Sequence, residues 1–168
     1  MNSSHPTSIP VEELVKQCKF TRTRSGGPGG QHRNKVETAI VVEHIPTGTT
    51  AGASERRSQH ANRTVAIERL RINLAINIRT EPTEEPSELW RSRCKSKKLS
   101  ISSSHEDFPA ILAEALNHIF ASDLQLSKAA ENLGCSTSQL IKLIRMEDAA
   151  WTMLNQNRRD AGMSTLKS

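Results

Sequence analysis

"TAIVVEHIPTGTTAGAS", residues 38–54, decides the fold. Its first eight residues are apolar and β-branched with polar interruptions, which predicts a strand over 38–45. Pro46, Thr47 and Gly48 supply turn chemistry, so "TTAGAS", 49–54, pairs back as the second arm of a hairpin. Upstream, "CKFTRTR", 18–24, alternates and predicts another strand, and "PVEELVKQ", 10–17, predicts a short helix with proline first and two glutamates in its first turn. Downstream, "SERRSQHANR", 54–63, reads as a polar, basic connector. "TVAIERLRINLAINI", 64–78, then puts Ile67, Leu70, Leu74 and Ile78 on one helical face. A helix covering one face of a small antiparallel sheet is a two-layer α+β arrangement.

The chain of 168 residues carries 23 Lys+Arg against 18 Asp+Glu, and the excess is uneven. Residues 1–99 hold 17 basic and 10 acidic side chains, whereas residues 100–168 hold 6 and 8. A polyanionic partner is expected, and its surface belongs to the N-terminal part. Cys18, Cys94 and Cys135 have no metal-ligand spacing and form no disulfide framework, so neither metal nor cofactor is expected. No apolar run is long enough for a membrane span, and the N-terminus has neither a secretory nor a transit-peptide pattern; a cytoplasmic location and no membrane partner are the expectation. The absence of tyrosine weighs against readers that stack bases on aromatic platforms.

Three segments are expected: an α+β domain over 1–78, a linker with a basic cluster over 79–107, and an all-α unit over 108–168. In the last, "FPAILAEALNHIFA" places Leu112, Ala115, Leu116, Ile119 and Phe120 on one stripe. Leu126 to Leu133 predicts a short helix meeting a turn at Gly134, after which Ser136 or Thr137 caps a helix bearing Leu140, Ile141 and Ile144. The pattern Ala-x-x-Leu-Gly-x-Ser-x-Ser-x-Leu-Ile resembles helix-turn-helix domains. A last helix is expected around "AAWTMLNQNRRDAG".

Between the two predicted strands of residues 18–45 lies "RSGGPGGQHRNK", 24–35. Gly26, Gly27, Gly29 and Gly30 reach backbone conformations closed to other residues and hold no ligand away with a side chain. Glutamine has no pKa suited to a general base, but it orients water, and its main-chain N–H can stabilise an oxyanion. Such a loop completes an active site whose other walls belong to a partner. The loop is not a nucleotide P-loop, because no Gly-Lys-Ser/Thr follows at the required spacing.

With these motifs on the page, residues 24–71 resemble the catalytic domain of class-I peptide chain release factors, including short ribosome-rescue members. The family's Gly-Gly-Gln signature falls on Gly29, Gly30 and Gln31, its Gln-His-x-Asn-Lys on Gln31, His32, Asn34 and Lys35, its Pro-Thr-Gly turn on Pro46 to Gly48, and its Arg-Ser-Gln-His-x-Asn on Arg57 to Asn62. Arg33, Ala61, Arg56 and Gly26 depart from the residues common in the family. The resemblance implies hydrolysis of the peptidyl-tRNA ester in the ribosomal peptidyl-transferase centre, with Gly29, Gly30 and Gln31 catalytic. It implies large-subunit rRNA and peptidyl-tRNA as partners, contacted by Arg24, His32, Arg33, Asn34, Lys35, Arg57, Ser58, Gln59, His60, Asn62 and Arg63.

About two dozen residues precede the loop, where stop-codon readers carry a large decoding region, so codon-independent rescue is the expected mode. A basic cluster of Arg91, Arg93, Lys95, Lys97 and Lys98 is a further candidate for RNA binding, set against the plain reading of a solvated face. The helical unit is expected to make a further contact or to serve in packing. The alternative function is a non-catalytic ribosome- or nucleic-acid-binding factor that uses the helix-turn-helix.

Overall fold

The hairpin of residues 38–54 forms the centre of the first of two units in a computed structural model, which describes residues 4–24 and 38–167. Strands β1 (Cys18–Thr23), β2 (Ala39–His44) and β3 (Thr49–Ala53) make one antiparallel sheet in that order. Cys18 stands opposite His44 and Thr23 opposite Ala39, while Ile40 faces Ala53 and His44 faces Thr49. Strand alternation sorts the faces: Ile40, Val42 and His44 are buried, and Val41 is 38% exposed on the other side. At the turn, Gly48 adopts φ +70°, and the N–H groups of Gly48 and Thr47 both donate to the His44 carbonyl, at 2.8 and 3.2 Å.

A short 3₁₀ turn (Pro6–Ser8) and helix α1 (Val11–Lys16) lead into β1. Pro10 is the cap, with φ −55°, rather than the first helical residue. Buried Leu14 anchors α1, and the buried His44 ring bonds Thr47 Oγ1 at 2.8 Å and Gln17 Oε1 at 3.0 Å, tying the helix end to the hairpin turn.

Helix α2 (Gln59–Asn77) packs on β2 and β3 and buries Ala66, Leu70 and Leu74. It also blunts the sheet edge. One turn apart, Arg69 Nη1 and Asn73 Nδ2 donate to the Gly52 and Thr50 carbonyls of β3, both at 2.9 Å. The helix begins at Gln59, five residues before the apolar periodicity of 64–78 predicts. The reason is Asn62, a polar residue buried as completely as the core leucines. The first turn is held by Ser58, whose hydroxyl accepts from the Ala61 N–H at 3.3 Å.

The second unit comprises Ile78–Ser168 with the described part of Met1–His5. Residues 79–107, read from sequence as a linker with a basic cluster, contain helix α3 (Glu88–Arg93) and a hairpin of β4 (Cys94–Lys95) and β5 (Lys98–Leu99). The Ser87 hydroxyl caps α3 through the Trp90 N–H at 3.0 Å and donates to Glu114 Oε2 at 2.5 Å. Trp90 is fully buried, and its indole donates to the Leu133 carbonyl at 2.8 Å.

Helix α4 (Phe108–Ala121) is buried nearly all round, as its even hydrophobicity requires. Helices α5 (Leu126–Leu133) and α6 (Thr137–Arg145) meet at Gly134, whose φ of +69° is the left-handed turn conformation. Ser136 caps α6 by accepting from the Gln139 N–H at 3.2 Å. Leu140, Leu143 and Ile144 are buried, while Ile141 is only half-buried: α6 packs on α4, α5, β5 and the last helix α7 (Asp148–Asp160), which draws in a wider stripe. Among the described residues, no helix is long and apolar enough to cross a membrane.

Candidate functional site

Gly29, Gly30, Gln31, His32, Arg33, Asn34 and Lys35 lie outside the described residues. What the structure describes is the base from which that segment departs and to which it returns. The chain leaves the sheet after Thr23 and rejoins it at Ala39, and these two residues are direct partners across β1 and β2.

The return point is fixed by Asn62, which has no solvent exposure. Its Nδ2 donates to the Thr38 carbonyl at 2.7 Å and the Arg56 carbonyl at 3.0 Å, and its Oδ1 accepts from the Arg56 N–H at 2.9 Å. Three of the four hydrogen bonds open to an amide are therefore made inside the fold. Asn62, expected from sequence on an RNA-facing surface, instead knots three elements: the start of β2, the connector at Arg56 and the first turn of α2. This brings Thr38, next to the Gly-Gly-Gln segment, together with the exposed Arg56–Arg57–Ser58 run.

The other expected RNA-contacting residues of this unit that are described lie at the end of β1 and around the start of α2. Arg24 is exposed at the end of β1, His60 is exposed on the first turn of α2, and Gln59 is half-buried. The Arg63 guanidinium lies over the Phe20 ring, 3.6 Å from its centroid. That stacking holds the guanidinium plane against β1 and is worth about 0.5–1 kcal/mol at a partly exposed site. Sequence reading gave Phe20 no role, since it showed only as one apolar position in a strand.

A shallow groove of about 270 Å³ at this end of the sheet is lined by Thr23, Arg24, β2 and β3 backbone and Arg69. Nearby, Arg69 pairs with Glu55, whose carboxyl is held down at about 2 by its own main-chain N–H, then by Arg69 and the Ser54 N–H. Among the described residues, the groove lining has no carboxylate, histidine or thiol. No His/Cys/Asp/Glu group able to hold a metal occurs among the described residues. The described lining of this groove carries cationic charge at Arg24 and Arg69.

The second cluster expected to bind RNA divides. Arg91 pairs with Glu85 at 3.4 Å across exposed surface, a contact of little energetic weight. Arg93 is turned inward, 2.7 Å from Asp107 Oδ2 and 3.0 Å from His105 Nε2, so it braces the chain ahead of α4. Lys95, Lys97 and Lys98 are exposed on the β4–β5 hairpin.

A three-stranded sheet with a helix across it carries, in the sequence between its neighbouring strand ends Thr23 and Ala39, the Gly29-Gly30-Gln31 signature. The chain belongs to the RF-1 domain family, the catalytic domain of class-I peptide chain release factors, which matches residues 7–107. It is 43% identical over 89 residues to "Peptide chain release factor PrfB1, chloroplastic" of Arabidopsis thaliana, covering 53% of this chain and 19% of that protein. It is 46% identical over 63 residues to "Peptide chain release factor 1" of Xylella fastidiosa (strain 9a5c), covering 38% of this chain and 18% of that one. The shared stretch thus spans less than a fifth of either relative. The family match ends at Asp107, one residue before α4 begins.

Proposed function

We propose that this protein hydrolyses the ester joining a nascent peptide to tRNA, acting on the ribosome at the peptidyl-transferase centre. The observation that carries the reading is the Gly29-Gly30-Gln31 signature set between Thr23 and Ala39, partners in a sheet that belongs to the RF-1 domain family. Gln31 orients the attacking water, and its main-chain N–H stabilises negative charge developing on the carbonyl oxygen. Gly29 and Gly30 allow the backbone to approach the ester closely. Arg24, His32, Arg33, Asn34, Lys35, Arg57, Ser58, Gln59, His60 and Arg63 engage large-subunit rRNA around the ester. Asn62 acts through Thr38 and Arg56, as a positioning residue.

The finer part of the proposal is release without codon reading, as in rescue of stalled ribosomes. Its support is the resemblance to short rescue members. The test is release of labelled peptide from stalled ribosome complexes with and without a stop codon in the A site. Wild type releases peptide from both. Gln31→Ala keeps the main-chain N–H but deletes the amide that orients water, and slows release; Gln31→Pro, which deletes that N–H, slows release in the range of losing one oxyanion donor (about 10²–10³). Gly30→Val abolishes release because a branched side chain holds the backbone away from the ester. Strict dependence on a stop codon would defeat codon independence alone; full activity in Gly30→Val would defeat the close-approach mechanism.

A further inference from the structure

The β4–β5 hairpin arranges its lysines against local preference. Lys95 and Lys98 stand directly opposite each other in the ladder, a like-charge pair that destabilises a hairpin. Between them the two-residue turn holds Ser96 at φ +50° and Lys97 at φ +64°. Asn and Gly ordinarily fill such a turn, because other residues are strained there. Three exposed cations therefore crowd one tip, and among the described residues none of them is ion-paired with a carboxylate.

The tip is fixed to the helix-turn-helix by main-chain atoms. The Lys97 carbonyl accepts from the Ser136 N–H at 3.1 Å, and the Leu99 N–H donates to Gln139 Oε1 at 3.0 Å. Along α6, Ser138, Lys142 and Arg145 are exposed at i, i+4 and i+7, one face of the helix. Arg145 lies 5.7 Å from the Trp151 ring centroid, and among the described residues neither it nor Lys142 is ion-paired. Residues 78–168 contain twelve basic and twelve acidic side chains, so this concentration of positive charge is local rather than a general property of the unit.

We infer that Lys95, Lys97 and Lys98 of the hairpin and Lys142 and Arg145 of α6 form one composite surface that grips the phosphate backbone of an RNA helix. Backbone rather than base recognition follows from the side chains available. Gln139, the long amide at the start of α6, is engaged with the hairpin, which removes the residue best suited to reading a base edge. Trp90 is buried and Trp151 lies beneath Arg145, so the surface has no free aromatic for stacking single-stranded bases. Phosphate contacts without base contacts position a protein on a duplex and do not select its sequence. The choice of RNA over DNA rests on the ribosomal reading of the chain.

The test is binding of the full chain to an RNA duplex of about 20 base pairs, by fluorescence anisotropy between about 50 and 200 mM salt. Lys97→Gly is the informative variant, because it relieves the turn while deleting a charge. It is expected to keep or raise the denaturation midpoint and to reduce the salt slope by about 1. Neutralising all five cations (Lys97→Gly, the others to Gln) is expected to weaken binding by at least about tenfold. Removing Arg159 and Lys167 serves as the charge control and has a smaller effect. Unchanged affinity and slope in the folded five-site variant would overturn the inference, as would a sequence-specific DNA duplex bound tenfold tighter through the same residues. Peptide release by wild type is measured alongside. Duplex binding through this surface without release sustains the inference and defeats the hydrolase reading; release with no contribution of the five cations to RNA binding does the reverse.

Discussion

Replacing Asn62 by alanine removes an amide with three hydrogen bonds of 2.7, 2.9 and 3.0 Å and no solvent exposure. Each such bond contributes about 0.5–1.5 kcal/mol net, and alanine leaves the Thr38 carbonyl and both Arg56 main-chain groups without their partner. The sum is a loss of roughly 2–4 kcal/mol, a large share of the 5–15 kcal/mol typical of a domain. Asn62→Asp keeps the acceptor toward the Arg56 N–H but turns a carboxylate oxygen toward two carbonyls, so it is at least as damaging. Urea denaturation followed by circular dichroism measures the total. Amide exchange over β2 and β3 assigns it, since the two units need not unfold together. The same variants, assayed where they remain folded, are expected to release peptide more slowly, because the strand that receives the Gly-Gly-Gln segment is no longer held. A destabilisation under about 0.5 kcal/mol with release intact would refute the anchoring role.

Trp90→Phe keeps most of the ring volume but strands the buried Leu133 carbonyl, and is expected to destabilise the second unit by about 1–3 kcal/mol; Trp90→Ala also opens a cavity and costs about 3–5 kcal/mol. Denaturation with both variants ranks the two effects. Burial lowers the His118 pKa, with Glu114 acting the other way, and its Nε2 has no partner; burial likewise lowers His5 and His44. The unfolded chain therefore takes up these protons before the folded chain does. Stability is complete above the ordinary histidine pKa of about 6.5 and declines as pH falls below it. The denaturation midpoint is expected to drop between about pH 7.5 and 5.5, and His118→Gln to flatten that profile.

The hairpin of residues 38–54 was readable because alternation and a Pro-Thr-Gly turn specify both its arms and its reversal. The α5–Gly134–α6 pair was readable because a left-handed glycine and a serine cap mark its turn. Other features had no such signal. The first turn of α2 escapes an apolar template because its core residue is Asn62, whose burial depends on partners 6 and 24 positions away. Trp90 sits among charges in a stretch with the composition of a linker, and its burial depends on a carbonyl 43 residues further on. Strands of two residues, such as β4 and β5, are too short for any period, and their Ser-Lys turn lacks the residues that announce one. The Gly-Gly-Gln signature was visible as part of an ordered set of motifs. The division of the basic cluster into one braced arginine, Arg93, and exposed lysines depends on Asp107 and His105, which only the fold brings close.

The bond from Ser136 to Lys97 joins peptide groups, and peptide groups are the same whatever side chains they carry. The mount that seats the hairpin beside α6 is thus indifferent to what the tip displays. Residues 95 to 98 form an exchangeable head on a fixed bracket, where drift in sequence can retune grip on a partner without disturbing how the head is aimed.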